Sequence, residues 1–260
     1  MNMPSHFRFM AAPLVAMLAV APAAAQAPAR YQPTRDTLRY LSTNDQFLYF
    51  VNRGDTAGSP VTLRTRELRV ARPAGDRLEL WVRLEGLDDP PFTSEDTFTL
   101  EPTGRVVAVN GAPVENLTGA RVDLVPRLPA GQALVPGLTW ADTLRAGGAA
   151  PYGLTFYHAT RTYTVVRLAD TLGTTLALIT GTGELELRHG GWSDASQTQS
   201  WYQQVMGPVA DTAWFDVRNG QLHASTTVMN LAGQGGMVRG LRLTGGLRST
   251  VRLVREPPGR

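Results

Sequence analysis

The chain reads as an all-β, antiparallel protein: a strongly curved sheet or barrel-like meander built from two similar halves. Three observations predict this. Apolar and polar residues alternate with period two in one segment after another, and turn-forming residues separate those segments. No stretch holds the i, i+3, i+4 spacing of an amphipathic helix for more than a few turns.

The clearest strand is 77–85. Leu78, Leu80, Val82 and Leu84 share one face, and Arg77, Glu79, Trp81, Arg83 and Glu85 share the other, the pattern of a half-buried strand. Residues 247–253 repeat the design, with Leu247, Ser249, Val251 and Leu253 alternating with Arg248, Thr250 and Arg252. Further strands are expected at 46–53, 61–71, 95–101, 104–109, 120–126, 156–168, 174–188, 198–206, 211–217 and 221–230. Between them lie Pro73-Ala74-Gly75-Asp76, Pro102-Thr103-Gly104, Asn110-Gly111 and Asn219-Gly220. The two Asn-Gly pairs suit tight hairpins, which need positive φ at the turn. Leu63 lies on the odd face whereas Leu68 and Val70 are even; Leu176 and Leu178 are even whereas Leu185 and Leu187 are odd. Such parity switches predict bulges or bends.

Residues 1–27 have the three parts of a secretory signal peptide. Arg8 supplies the charge, 9–20 form an apolar run, and Ala23-Ala24-Ala25 or Ala25-Gln26-Ala27 offers the cleavage site. The run is too short for a membrane-crossing helix, which needs roughly 20 residues, and no later segment approaches that length. A periplasmic or secreted protein with no transmembrane segment after cleavage is expected.

The 260 residues include no cysteine. An exported domain of this kind has no disulfides and must hold itself together by core burial. Thiol chemistry and lipoprotein acylation are excluded with it. All 25 basic residues are arginine, which excludes lysine chemistry and fits a G+C-rich bacterial genome. With Arg8 lost in the signal, 24 arginines face 22 acids. That balance is too even to imply nucleic acid as a partner.

The chain echoes itself. Asp36-Thr37-Leu38-Arg39 returns as Asp142-Thr143-Leu144-Arg145. The segment Thr65–Val70, with Gly75 and Leu78-Glu79-Leu80, returns as Thr160–Val165 with Gly173 and Leu176-Ala177-Leu178. Asp96-Thr97-Phe98 with Gly104-Arg105-Val106 returns as Asp211–Phe215 with Gly220-Gln221-Leu222. The organisation expected is a first β half at 28–127, a linker at 128–140 and a second β half at 141–260.

Within that linker, Leu128-Pro129 followed by Pro136-Gly137-Leu138-Thr139-Trp140-Ala141-Asp142-Thr143 resembles the LP…G-x-x-W-x-D-T signature of an uncharacterised family of exported bacterial β proteins. In that family two similar halves flank such a linker, and the second half ends in a strand pair similar to Trp214-Phe215-Asp216…Asn219-Gly220-Gln221-Leu222. The resemblance implies the architecture and no activity, so it designates no site residues. The layout is also similar, more distantly, to periplasmic half-barrel carriers of lipids and lipoproteins, a likeness of fold alone.

The residues offer few sites for chemistry. His158, His189 and His223 have no ligand-like partner at metal-site spacing, so no metal and no cofactor is expected. His189-Gly190-Gly191-Trp192 resembles an esterase oxyanion loop but lacks the G-x-S-x-G elbow, and a loop between two strands is expected there. Asp88-Asp89 and Glu95-Asp96 read as a solvated loop around Pro90-Pro91 rather than a glycosidase pair. Gly233-Gln234-Gly235-Gly236 lacks the strand and helix of a phosphate loop, and Asn116-Leu117-Thr118 is a sequon by pattern only.

Two features remain. Tyr152, Phe156, Tyr157, Trp192, Trp201 and Tyr202 could line the mouth of an apolar cavity, or serve as core and cross-strand pairs. Arg242, Arg248 and Arg252, in an acid-free run from 217 to 255, could meet an anionic surface, or simply keep strands soluble. The functional expectation is a non-enzymatic envelope protein that binds an amphiphilic or apolar ligand within a curved sheet. The alternative is a structural or interaction module that contacts an anionic envelope component through its C-terminal arginines. A hydrolase centred on His189 or His158 ranks third, and needs a carboxylate or hydroxyl within reach of the ring.

Overall fold

The structure, a computed structural model, describes residues 27–257 apart from 35, 53–54, 115–124, 151–152, 172, 193–199 and 238–241. Residues 1–26 of the segment expected to be a signal peptide, the sequon, Tyr152 and most of the strand expected at 120–126 lie outside the described residues.

Twelve strands form one sheet: β1 (Leu38–Asn52), β2 (Asp55–Ala74), β3 (Arg77–Gly86), β4 (Thr93–Leu100), β5 (Val106–Val109), β6 (Ala112–Pro113), β7 (Thr139–Ala150), β8 (Gly153–Thr171), β9 (Thr174–Trp192), β10 (Ser200–Asp216), β11 (Gln221–Met237) and β12 (Arg242–Arg255). Every neighbouring pair is antiparallel, and the order across the sheet is β6-β5-β4-β3-β2-β1-β12-β11-β10-β9-β8-β7. The chain therefore starts at the middle of the sheet, walks out to one edge, crosses to the other edge and walks back. β1 ends beside β12, with Tyr40 opposite Arg255 and Val51 opposite Thr244.

The turns follow their residues. Asn110 (φ 49°) and Gly111 (φ 79°) both take the left-handed conformation, which closes the β5–β6 hairpin in two residues. The echoed segments fall on strands of equal rank in the two halves: β1 and β7, β2 and β8, β3 and β9, β4 and β10, β5 and β11. The glycines that precede the third and fifth members also agree, with positive φ at Gly75 and Gly173 and at Gly104 and Gly220.

The sheet is strongly curved and does not close, leaving β6 and β7 as its edges. Its closest approaches between neighbouring strands need glycine. A Cβ on Gly183 would overlap the Thr160 carbonyl, and one on Gly233 the Gln204 carbonyl. One end of the concave face is plugged by irregular chain. Ala29 and Tyr31 enter from the N-terminal side, and Val125, Leu128 and Leu134 from the crossing between β6 and β7, all buried. Backbone bonds tie the plug down: Ala29 N–H to the Gln132 carbonyl (2.9 Å), Leu128 N–H to Thr103 (2.8 Å) and Gly137 N–H to Val165 (2.8 Å). Tyr31 packs edge-on against Phe215 (centroids 5.1 Å), and its hydroxyl donates to the Pro126 carbonyl (2.9 Å). Burial pushes its phenol pKa well above the ordinary value. With Tyr40, Phe98, Tyr163, Ile179 and Leu231, all essentially inaccessible, these residues make the core.

The elements are fewer and longer than the sequence predicts. The strands expected at 198–206 and 211–217 are one, β10, in which Gly207-Pro208 interrupts the ladder to β11 without changing its register. β7 was not expected at all, and it starts at Thr139, so the boundary at 140/141 falls inside a strand. The parity switch in β2 marks no bulge. Pairing with β1 and β3 runs unbroken, and the inward residues are Glu67, Arg69 and Ala71, with Leu68 and Val70 on the outer face. The switch in β9 has a bulge opposite it, in β8, where Val165 pairs with Ile179 and Arg167 with Leu178. Residues 189–191 are strand rather than loop.

Candidate functional site

The registers place inward-facing residues in rungs across the concave face, and the rungs change character along the strands. Next to the plug, Thr65, Ser42, Leu253 and Ser225 stand opposite one another on β2, β1, β12 and β11. The next rung carries Leu63, Asn44, Val251, Thr227 and Asp211. Further from the plug, one rung is Phe50, Gly245, Gly233, Val205, Leu187 and Tyr157.

These rungs border two recesses. The first, about 410 Å³, is walled by Leu48, Phe50, Trp201, Val205 and Leu243, and Gly233, Gly235, Gly245 and Gly246 form its floor. The second, about 500 Å³, combines Leu63, Leu84, Tyr157 and Met229 with Ser42, Asn44, Thr65, Glu67, Arg69, Ser225 and Thr227. Both volumes lie within the roughly 300–1,000 Å³ usual for small-molecule sites. The packing around them is incomplete. Leu48, Phe50, Val61 and Leu63 share the inward parity, yet keep 40%, 45%, 45% and 43% of their surface exposed.

The charges within this face are paired. Arg69 reaches Glu67 at 2.8 Å with both side chains buried, and its guanidinium lies over the Tyr40 ring at 4.9 Å. Burial alone would lower the Arg69 pKa, but the neighbouring carboxylate outweighs it and raises the value. Arg161 meets Asp211 at 2.7 Å, and Thr227 Oγ1 donates to the same carboxylate at 2.7 Å. Arg127 holds Asp142 at 2.7 Å, and its backbone carbonyl accepts the Trp140 indole N–H at 3.0 Å.

Of the six aromatic residues singled out by sequence, Tyr157 lines the second recess and Trp201 the first, with Tyr202 bordering the first. Phe156 has the opposite parity to Tyr157 and stacks beneath Arg188 on the outer face (5.5 Å), so it does not join them. The side chain of Trp192 and all of Tyr152 lie outside the described residues. Arg248 and Arg252 do project from the outer face. Arg248 lies over the Tyr49 ring (5.5 Å), and Arg252 donates to Asp45 (2.8 Å). The side chain of Arg242 is outside the described set. Leu48, Phe50, Leu63 and the Glu67–Arg69 pair were missed. The uninterrupted run Phe47-Leu48-Tyr49-Phe50-Val51 was their available signal, because a strand apolar on both sides has more than a solvent face to present.

His189 Nδ1 lies 2.6 Å from Thr155 Oγ1, so a hydroxyl is within reach of that ring, and Trp201 covers it at 4.6 Å. The backbone of 189–191 is paired on both sides, to 153–155 and to 201–203, and presents no oxyanion pocket. His158 stands opposite Glu186 on the outer face. Asp88 accepts from Arg64 N–H (2.6 Å) and its guanidinium (2.7 Å), bonds that hold its carboxyl below the usual range. Among the described residues no group of three histidine or acidic side chains could hold a metal ion. No helix there is long and apolar enough to cross a membrane.

No protein-family model matches the chain, and no curated protein matches it. Among solved structures, a DUF1329 family protein from Desulfovibrio piger aligns over 85% of this chain and 87% of its own, at 11% identity and a TM-score of 0.16. A likeness at that level carries no argument about activity.

Proposed function

We propose that this is an exported, non-enzymatic envelope protein that holds an amphiphilic or apolar ligand against the concave face of its sheet. The observation behind the reading is the set Leu48, Phe50, Val61 and Leu63, which face inward beside the recesses yet stay 40–45% exposed. Apolar side chains turned toward a core are normally covered by other side chains; here the cover is the ligand. The signal-like segment 1–27 supports export. The equal rank of the echoed segments supports an origin by duplication of a six-stranded unit. The anionic-surface reading has less support, because Arg252 already serves Asp45.

The test uses the mature protein and an uncharged solvatochromic dye with a hydrocarbon tail. Saturable binding is expected. Leu48→Arg and Phe50→Arg should each weaken it at least tenfold while leaving the thermal midpoint within a few degrees, since both positions are exposed. Absence of saturable binding, or equal binding by both variants, would defeat the reading.

A further inference from the structure

We infer that the polar end of the bound amphiphile carries no net charge and is recognised through hydroxyl or amide groups. This rests on the carrier reading above and adds the headgroup class to it. Among the described residues, the recess walled by Leu48, Phe50 and Leu243 has no charged side chain in its lining. The second recess has two, Glu67 and Arg69, and they are bound to each other at 2.8 Å. Beside it, Arg161 is held by Asp211 at 2.7 Å.

A carboxylate or phosphate entering here would lose its hydration and find each arginine already neutralised. An ammonium would meet Glu67 and Asp211 in the same condition. What the polar rungs do offer is the Ser42, Thr65 and Ser225 hydroxyls, which make no side-chain hydrogen bond among the described residues. Hydroxyls donate and accept, so they suit a neutral head that does both. The other recess, with its glycine floor and with Leu48, Phe50, Val205 and Leu243 outnumbering Gln203 and Gln234 in its lining, fits the hydrocarbon part.

The experiment compares three single-chain amphiphiles of equal chain length as competitors for the dye on the mature protein: a monoacylglycerol, a fatty acid carboxylate and an alkylammonium. The monoacylglycerol should displace the dye at concentrations at least tenfold lower than either ion. Thr65→Val with Ser42→Ala should erase most of that advantage, read as the ratio of displacing concentrations among the three competitors on the same variant. Glu67→Gln strips Arg69 of its counter-charge and should invert the order in favour of the carboxylate. If Glu67→Gln does not fold, the hydroxyl variant decides alone. A carboxylate or ammonium that matches or beats the monoacylglycerol on the unsubstituted protein overturns the neutral-head inference and leaves the carrier reading standing. Failure of all three, with no dye bound, removes the carrier reading and this inference with it.

Discussion

Removing Glu67 alone should do more damage than removing both members of its ion pair. Glu67 and Arg69 meet at 2.8 Å with 4% and 5% of their side chains exposed. At an effective dielectric of about 20, two unit charges at that separation attract by roughly 6 kcal/mol. Taking both ions out of water costs several kcal/mol each, so the intact pair contributes little net stability. Glu67→Ala deletes the attraction and leaves Arg69 buried with Tyr40 as its remaining cation–π contact, itself about 1–2 kcal/mol. The expected loss is about 3–5 kcal/mol. At about 2–4 °C per kcal/mol for a chain of this size, the midpoint should fall by roughly 6–20 °C. The double change Glu67→Leu with Arg69→Met should recover most of it. Urea unfolding of Glu67→Leu, Arg69→Met and the variant carrying both gives the coupling directly. A single-variant loss under about 1 kcal/mol, or a double variant as unstable as the two singles added, would refute the buried-pair account.

Phe215→Ala should cost about 3–5 kcal/mol in the same assay, because the ring is fully buried and supports Tyr31 of the plug. Gly183→Ala should destabilise by about 1–3 kcal/mol, since the new Cβ meets the Thr160 carbonyl, and a silent substitution would mean the close approach relaxes easily. Burial raises the Asp216 pKa, but hydrogen bonds from Thr174 (2.6 Å) and the Asn219 side chain (2.7 Å) and backbone outweigh it, and the net shift is downward. Its stabilisation is therefore complete above the unfolded carboxylate value of about 3.9 and fades as pH drops through the lower folded value. Asp216→Asn should cost about 1–2 kcal/mol at pH 7, and the gap from the parent should narrow on acidification; a gap independent of pH between 7 and 2 would contradict the assignment.

The fold class was legible because most strands bury one clean apolar face. The alternation through 77–85 locates β3 almost to the residue, and 247–253 falls inside the longer β12. Where strand reading failed, charges point inward. Asp142 occupies an inward position of β7 between Trp140 and Leu144, and a carboxylate there erases the period-two signal. Glu67 and Arg69 do the same in β2, and turned a regular strand into a supposed bulge. Gly207-Pro208 looks like a turn and is a pause in one ladder. The site was legible only in part. Tyr157 and Trp201 are visible as aromatics, but which strands oppose them depends on the β1–β12 pairing, in which Tyr40 meets Arg255, 215 residues away, and leaves no local trace. Phe156 was misassigned by one residue of parity.

Pairing β1 with β12 means that the earliest and latest strands are not trim at the margins but the seam at the middle. Deleting either would not shorten the sheet by one ribbon; it would cleave it into two pieces and bare two long unpaired borders, β2 or β11 among them. Until the last ribbon is in hand the first has only β2 to pair with, so the joining of the two halves awaits β12.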